Sequence, residues 1–369
     1  MTSSQTALLV TEIGKPLVKG SRPVPVPREN EVLIQVTVAG LNPHDAKSRD
    51  HGLFIKNSLP AVLAADLAGR VVKVGSNVTR FKEGDDVFGQ TSFSIGQTSS
   101  STNRDTQGLQ QFAILDVRAT AKVPAGFSSS QVATLPTNLT TSAVALFDPA
   151  ALDIPAPWDH NAAKTVDLKS QSILIVGGGT NTGKFAIQLA ALVGFGNIIV
   201  VAGLKGEAAE KKLGATHVID RTLPPSKIVA NVREIVGDDL VYAYDTINSL
   251  ELQAAIGVES LSNSKKGKFA RLLPFGPIDE TKLSSKKFAG FETLNVFGGA
   301  LARPKTGIPL WQHISELLEE GKIEPLRYHV IKGLDVDAVN RTLDGYGNGS
   351  GTLDGYGNGS VTGQWQVHI

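Results

Sequence analysis

A chain of 369 residues is long enough for two domains of ordinary size. Its net charge of +1, with 41% hydrophobic and 19% charged residues, fits a soluble globular protein and sets up no field that would draw in nucleic acid or an anionic membrane. The absence of cysteine removes disulfides, thiolate catalysis and every zinc site built on Cys.

The remaining exclusions come from pattern. The seven histidines show no H-x-x-x-H spacing, so no metal site is expected. No apolar run approaches the roughly 18 residues of a membrane span. The opening MTSSQTALLVTEIGK is too polar for a signal peptide, and a cytosolic location is expected.

Residues 1–90 read as a β-rich unit. EVLIQVTVAG, Glu31 to Gly40, alternates as a half-buried strand does; GRVVKVGSNV repeats the pattern and ends in a turn at Gly75-Ser76-Asn77. PVPVPREN is an extended connector, and EGDDVFG turns into another strand. Short strands punctuated by glycine predict a compact barrel. Residues 91–110 are polar and low in complexity, which predicts a surface loop. FAILD and AKVP return to strand, and one helical stretch is expected from about Ser128 through SSQVATLPTNLTTSAVALF. A proline-bearing connector at 148–169 follows.

From residue 171 to about 300, strand and helix patterns alternate: SILIV, KFAIQLAALVGF, NIIVV, GEAAEKKLG, THVID, SKIVANVREIV, LVYAYDT, ELQAAIGVES and KFARLLPF. That alternation predicts an α/β domain with a doubly wound parallel sheet. IPLWQHISELLEEGK is an amphipathic helix with Gly321 as its C-cap, and QWQVHI is a terminal strand. Near the end, RTLDGYGNGS (341–350) is followed by GTLDGYGNGS (351–360); a ten-residue unit seen twice is too short for a solenoid and reads as a lengthened surface loop.

The stretch Gln171 to Gly183, QSILIVGGGTNTG, organises the second half. Strand, glycine turn and helix in that order form the layout of a dinucleotide site, where a pyrophosphate meets bare backbone at a helix N-terminus. The spacing is Gly177-x-x-Thr180-x-x-Gly183, looser than G-x-G-x-x-G, and an ordinary strand-to-helix turn is the plainer alternative. The strand NIIVV ends at Ala202-Gly203-Leu204-Lys205-Gly206, with no acid to accept from a ribose 2′-hydroxyl before Glu207. Lys205, Lys211 and Lys212 follow instead, which suits a 2′-phosphate and predicts NADPH over NADH; for Lys212 a solvated helix face is the better account.

VTEIGKPLV, PRENEVLIQVTVAGLNPHD, VVKVGSNVTRFKEGDDVFG, LGATHVID, AADLAG, GGGTNTG and YAYDTINS together resemble the medium-chain dehydrogenase/reductase superfamily in its quinone-reductase-like branch, and most of all the fungal trans-enoyl reductases. The resemblance covers nearly the whole chain. It implies a GroES-like β-barrel substrate domain from residues 1–137 and 302–369, a Rossmann domain from 138–301, and a site in the cleft between them. Zinc members of the superfamily carry a Cys where this chain has Leu41-Asn42-Pro43 and Gly-His-Glu where it has Ala64-Ala65-Asp66, so zinc alcohol dehydrogenase chemistry lacks its ligands here. What remains is an NADPH-dependent reductase of an activated C=C bond; a quinone reductase on the same fold, and a cofactor-binding partner protein without turnover, are the alternatives.

The resemblance also assigns residues. Lys47, in NPHDAKSRD, matches a lysine near the substrate that would stabilise an enolate or meet an acyl carrier; a surface lysine is the plain alternative. Thr141, in NLTTSA, matches a threonine that contacts nicotinamide or substrate, against helix back-bonding. Asn42 either binds the nicotinamide ribose or makes an Asx turn before Pro43. Gly178, Thr180, Asn181 and Thr182 are assigned to the pyrophosphate, and Lys205 and Lys211 to the 2′-phosphate. Arg221 stands where relatives often place a tyrosine near the adenosine phosphate. Thr246 and Ile247 fall near the nicotinamide, and Phe297 and Gly298 at a strand end that closes over that ring. Asp66 is assigned a structural part. The expected partner is a small-molecule substrate, either free or delivered on a carrier protein, acting on a monomer or homodimer.

Overall fold

The computed structural model describes residues 4–91, 103–159, 166–272, 276–284, 286–348 and 363–369. The chain divides into two compact units, one running to Thr137 and resuming from Gly299 onward with Gly363–Ile369, the other Asn138–Gly298.

The first unit is antiparallel and strand-rich. β1 (Ser4–Leu9) and β2 (Val18–Pro23) form a ribbon of their own. β3 (Glu31–Leu41) is the long axis of the main sheet. Along one side it pairs throughout with β4 (Asp66–Val74), which continues to β5 (Asp86–Gln90). Along the other side its first half pairs with β6 (Phe112–Asp116). β7 (Thr120–Lys122) then pairs with β5. Register shifts at Leu33/Ile34 and Val36/Val38 bend β3, as bulges do. Helix α1 (Pro43–His51) follows β3. The core is aliphatic: Val32, Ile34, Val36, Leu67, Val71, Val87 and Leu115 are all buried.

The expected helix after Ser128 is two helices. A single turn, Ser129–Val132, is capped by Ser128 and Gln131, and α2 (Pro136–Phe147) restarts at a proline, which suits a first turn because its missing N–H is not needed there.

Among the described residues the second unit holds six parallel strands: β8 (Ser172–Val176), β9 (Asn197–Ala202), β10 (His217–Asp220), β11 (Tyr242–Asp245), β12 (Gly267–Leu272) and β13 (Phe291–Val296). Their order across the sheet is β10-β9-β8-β11-β12-β13, the dinucleotide-binding order with its switch point between β8 and β11. β8 is buried at every residue because helices cover both faces of such a sheet. The helices are α3 (Asn181–Leu192), α4 (Glu207–Lys212) and α5 (Pro225–Val236). After Leu250–Leu252 the chain widens into a π turn at Gln253–Val258.

Back in the first unit, α6 (Pro304–Glu319) buries Leu310, Trp311, Ile314 and Leu317, and Gly321 follows with φ of +65°. β14 (Tyr328–Lys332), α7 (Val336–Asn348) and β15 (Gln364–His368) close the fold, with β15 parallel to β14 and antiparallel to the second half of β3.

Two further expectations change. The segment Gln107–Gln110 belongs to the interior, not to a surface loop: Gln107, Leu109 and Gln110 are fully buried, and Leu109 bonds Leu63 and Leu8 through its backbone. Residues 92–102 of that expected loop lie outside the described residues. The first copy of the tandem repeat is helical as far as Asn348, with Leu343 in the core and Asp344 paired to Arg49. The apolar positions of α7 at i, i+4 and i+7 (Val339, Leu343, Tyr346) carry that face. The second copy lies outside the described residues.

Candidate nucleotide and active site

The turn after β8 is built by close approach. Gly177 has φ of +90°, and a Cβ there would stand 2.6 Å from Thr246 Oγ1 and Ile247 Cδ1. A Cβ on Gly183 would stand 2.3 Å from the Gly177 carbonyl, so α3 is pressed directly onto the turn. Thr180 caps α3: its Oγ1 accepts from the Gly183 N–H at 2.8 Å. Asn181 and Thr182 open the helix, where backbone N–H groups have no intrahelical acceptor. Gly178 is buried against Val200 of β9, whereas Gly179 is exposed. An exposed glycine at the positive end of a 12-residue helix is a fit for a pyrophosphate.

The hydroxyls predicted to touch the cofactor are also structural. Thr246 Oγ1 lies 2.9 Å from the Gly177 carbonyl and 3.0 Å from Thr180 Oγ1, tying the end of β11 to the turn after β8. Thr182 Oγ1 donates to Asn138 Oδ1 at 3.0 Å, and Ser142 Oγ donates to the Thr182 carbonyl at 2.7 Å. Helix α2 is thereby fastened to the start of α3. Asn138 and Ser142 are residues the sequence reading passed over; their spacing of four on one helix face was the available signal.

Thr141 is buried on α2 and touches the segment after β13: a Cβ on Gly298 would stand 1.9 Å from Thr141 Oγ1. The structure thus brings Thr141 and Gly298 together, with Phe297 half-buried beside them in sequence. Ile247 is buried just beyond β11. A polar row supports this edge of the sheet, since Asp245, Arg271 and Asn295 are register neighbours on β11, β12 and β13. Asp245 accepts from the N–H groups of Ile247 and Asn248 and from Gln253 Nε2, and Arg271 donates to Gln253 Oε1 and Asn295 Oδ1. Burial raises the Asp245 pKa against those donors and lowers that of Arg271. The row fixes the loop carrying Thr246 and Ile247.

At the end of β9, Arg221 reaches toward Gly203, where a Cβ would stand 3.4 Å from its Nε. Lys205 is exposed on the turn Leu204–Gly206. Lys211 is exposed too and pairs with Glu207 at 2.7 Å across one helical turn. Glu210, which the sequence reading missed, points inward and is 2% exposed. Its position three residues before Leu213 and four before Gly214 on an inner helix face was the signal.

Asn42 and Lys47 belong to the first unit. Asn42 is buried before α1, and its Nδ2 donates to Asp66 Oδ2 at 2.8 Å; its backbone N–H donates to Asp45 Oδ2 at 2.8 Å. Asp66 is fully buried and accepts two more bonds, from the Thr137 N–H and Gln364 Nε2, each at 2.7 Å. Burial raises its pKa, and the donated bonds oppose that shift. Asp66 therefore joins β4, α1, α2 and β15. Lys47 is exposed on α1, and partial desolvation lowers its pKa. Among the described residues no three His, Asp or Glu side chains gather as a metal site, and no helix is long and apolar enough to cross a membrane.

Residues 28–139 match the alcohol dehydrogenase GroES-like domain. The chain is 30% identical over 275 residues to the trans-enoyl reductase tazE of Aspergillus terreus, covering 74% of this chain and 86% of that protein. It is 28% identical over 359 residues to the enoyl reductase component lovC of the lovastatin nonaketide synthase of Aspergillus terreus, covering 90% and 92%. An alcohol dehydrogenase superfamily protein from Novosphingobium aromaticivorans has the same fold, with a TM-score of 0.73 and 25% identity over 99% of each chain. The chain belongs to the medium-chain dehydrogenase/reductase superfamily, as a nicotinamide-type oxidoreductase of its zinc-free, quinone-oxidoreductase-like branch.

Proposed function

We propose that this protein is an NADPH-dependent reductase of an activated C=C bond, of the enoyl or enone type. The observation that carries the reading is the pairing of a glycine cradle that a Cβ would fill, at Gly177, Gly178 and Gly183, with a GroES-like unit whose zinc-ligand positions hold Leu41-Asn42-Pro43 and Ala64-Ala65-Asp66. A bound nicotinamide supplies hydride chemistry. The chain's own residues bind, orient and stabilise charge.

Gly178, Thr180, Asn181 and Thr182 hold the pyrophosphate at the start of α3. Lys205, Lys211 and Arg221 hold the 2′-phosphate. Thr246 and Ile247, with Phe297 and Gly298, bound the nicotinamide, and Thr141 orients ring or substrate. Lys47 supplies the cation: reduction at the β-carbon leaves negative charge on the carbonyl oxygen, and an ammonium donor lowers the energy of that enolate. Asn42 contributes indirectly, because its amide is committed to Asp66. The relative named as a synthase component supports a substrate delivered on a carrier protein, which exposed Lys47 is suited to meet.

The test is oxidation of NADPH with a 2-enoyl thioester, a simple enone and a quinone, with NADH as control. Turnover of the enoyl thioester or enone with NADPH supports the reading. Turnover of the quinone alone moves it to a quinone reductase. Tight cofactor binding with no turnover of any acceptor overturns catalysis on free substrates.

A further inference from the structure

Between the turn that follows β8 and the turn that follows β9 sits a buried carboxyl, that of Glu210 on α4. Glu210 is 2% exposed, and its Oε2 is buried without a hydrogen-bond partner. Its Oε1 lies 2.7 Å from where a Cβ on Gly206 would stand and 3.4 Å from one on Gly179. These two turns are neighbours at the carboxyl edge of the sheet, where a dinucleotide places its adenosine ribose between the pyrophosphate loop and the end of the second strand. That strand ends here in Ala202-Gly203, with no acid of its own. Glu210 brings a carboxyl to the same place from one helix further on.

We propose that Glu210 is the specificity-determining group for the adenosine ribose: ionised, it accepts from a 2′-hydroxyl and repels a 2′-phosphate; protonated, it donates to that phosphate. Binding of NADPH then takes up a proton at Glu210, and binding of NADH does not. The inference rests on the nicotinamide-cofactor reading and refines its preference for NADPH.

The surroundings fit a carboxyl that changes state. Burial raises its pKa, Lys184 on α3 opposes the shift, and Glu207 on α4 adds to it. The charge of Glu207 is partly met by Lys211. Lys205 on the turn and Arg221 beyond β10 are further cations at this end of the sheet. A buried carboxyl oxygen without a donor is an expense that a ligand hydroxyl or phosphate would relieve.

The experiment is equilibrium binding of NADPH and NADH to the full chain and to Glu210→Gln, from about pH 5 to about pH 8.5, upward from the ordinary range of a glutamate. The phosphate of NADPH titrates near pH 6 in both proteins and cancels in the comparison. The expected result is that the wild type loses on the order of tenfold in NADPH affinity relative to Glu210→Gln by the alkaline end, about one unit's worth of linked protonation. NADH affinity of the variant falls several-fold at the same pH. Equal NADPH profiles and an equal NADPH-to-NADH ratio in the two proteins would overturn the proposal. Should the variant fail to fold, the wild-type NADPH-to-NADH ratio over the whole range decides alone: a ratio that follows only the phosphate's own titration near pH 6 overturns it. Binding of neither cofactor at any pH would instead remove the cofactor reading itself.

Discussion

Two buried carboxyls divide this molecule's polar interior. Asp66, in the GroES-like unit, is surrounded by donors from the residue that precedes α1, from α2 and from β15. Glu210, in the Rossmann unit, has burial of the same order and no donor on its inner oxygen. The difference separates a group consumed by the fold from one the fold leaves over. A carboxylate with three N–H donors is paired as ions in protein interiors must be, and it adds order; one without them is kept only where something else supplies its partner.

The sharpest way to break the contrast is to remove the satisfied group. Asp66→Ala leaves Asn42 Nδ2, Gln364 Nε2 and the Thr137 N–H without their acceptor, and each orphaned buried donor costs about 1–3 kcal/mol. The expected loss is on the order of 3 kcal/mol or more, read as a shift of the urea midpoint at constant slope. Asp66→Asn should lose less, because its amide oxygen still accepts. A loss within about 0.5 kcal/mol, the range of ordinary surface changes, would mean that the donors find other partners and that Asp66 holds nothing together.

Next in size is the packing that the pocket depends on. Gly183→Ala places a methyl 2.3 Å from a backbone oxygen that has no rotamer to escape with, so α3 must lift from the turn. Overpacking of this kind costs about 1–3 kcal/mol, and the cradle opens with it. Both stability and NADPH affinity should fall in parallel. Unchanged cofactor affinity in a destabilised protein would show that the turn is only a turn.

How much of this was readable beforehand follows the same division. The glycine turn and five of the six parallel strands were visible because buried parallel strands and close-approach glycines leave a local mark in SILIV and GGGTNTG, whereas β13, Phe291–Val296, has exposed and half-buried positions and left no such mark. Asp66 was readable only as a departure from a zinc pattern; its partners Asn42, Thr137 and Gln364 lie 24, 71 and 298 residues away, and no periodicity encodes such distances. Glu210 was hidden by its neighbours. In EAAEKKLGA the charges look like one solvated face, and only the helical phase to Leu213 and Gly214 turns Glu210 inward. The tandem repeat misled for the opposite reason, since DGYGN reads as loop while Val339, Leu343 and Tyr346 hold a helix that runs to Asn348 against the core.

The third test asks whether Glu210 titrates in the empty protein. Its folded pKa is raised above the ordinary 4.5. Between those two values the folded state holds more protons than the unfolded, so stability falls as pH rises through the window. Glu210→Gln removes that slope, and the unfolding free energies of the two proteins should part progressively above about pH 4.5, with the variant gaining. Parallel curves would mean that Lys184 alone offsets the burial.

The smallest effect on stability is expected at Lys211, and it carries the sharpest contrast with Glu210. Lys211 is exposed and Glu207 half-buried, one helical turn apart, and such a pair is worth about 0.2–0.5 kcal/mol. Lys211→Ala should therefore leave the melting curve nearly unchanged. If Lys211 turns to a 2′-phosphate when one is present, the cost of leaving Glu207 is small against a charge-assisted contact of about 1.5–3 kcal/mol, so NADPH binding should weaken by roughly tenfold or more while NADH binding stays constant. An equal loss for both cofactors would place the contact elsewhere on the nucleotide. No loss for either would leave the pair as a solvated helix face, and Arg221 and Lys205 as the cations that meet the phosphate.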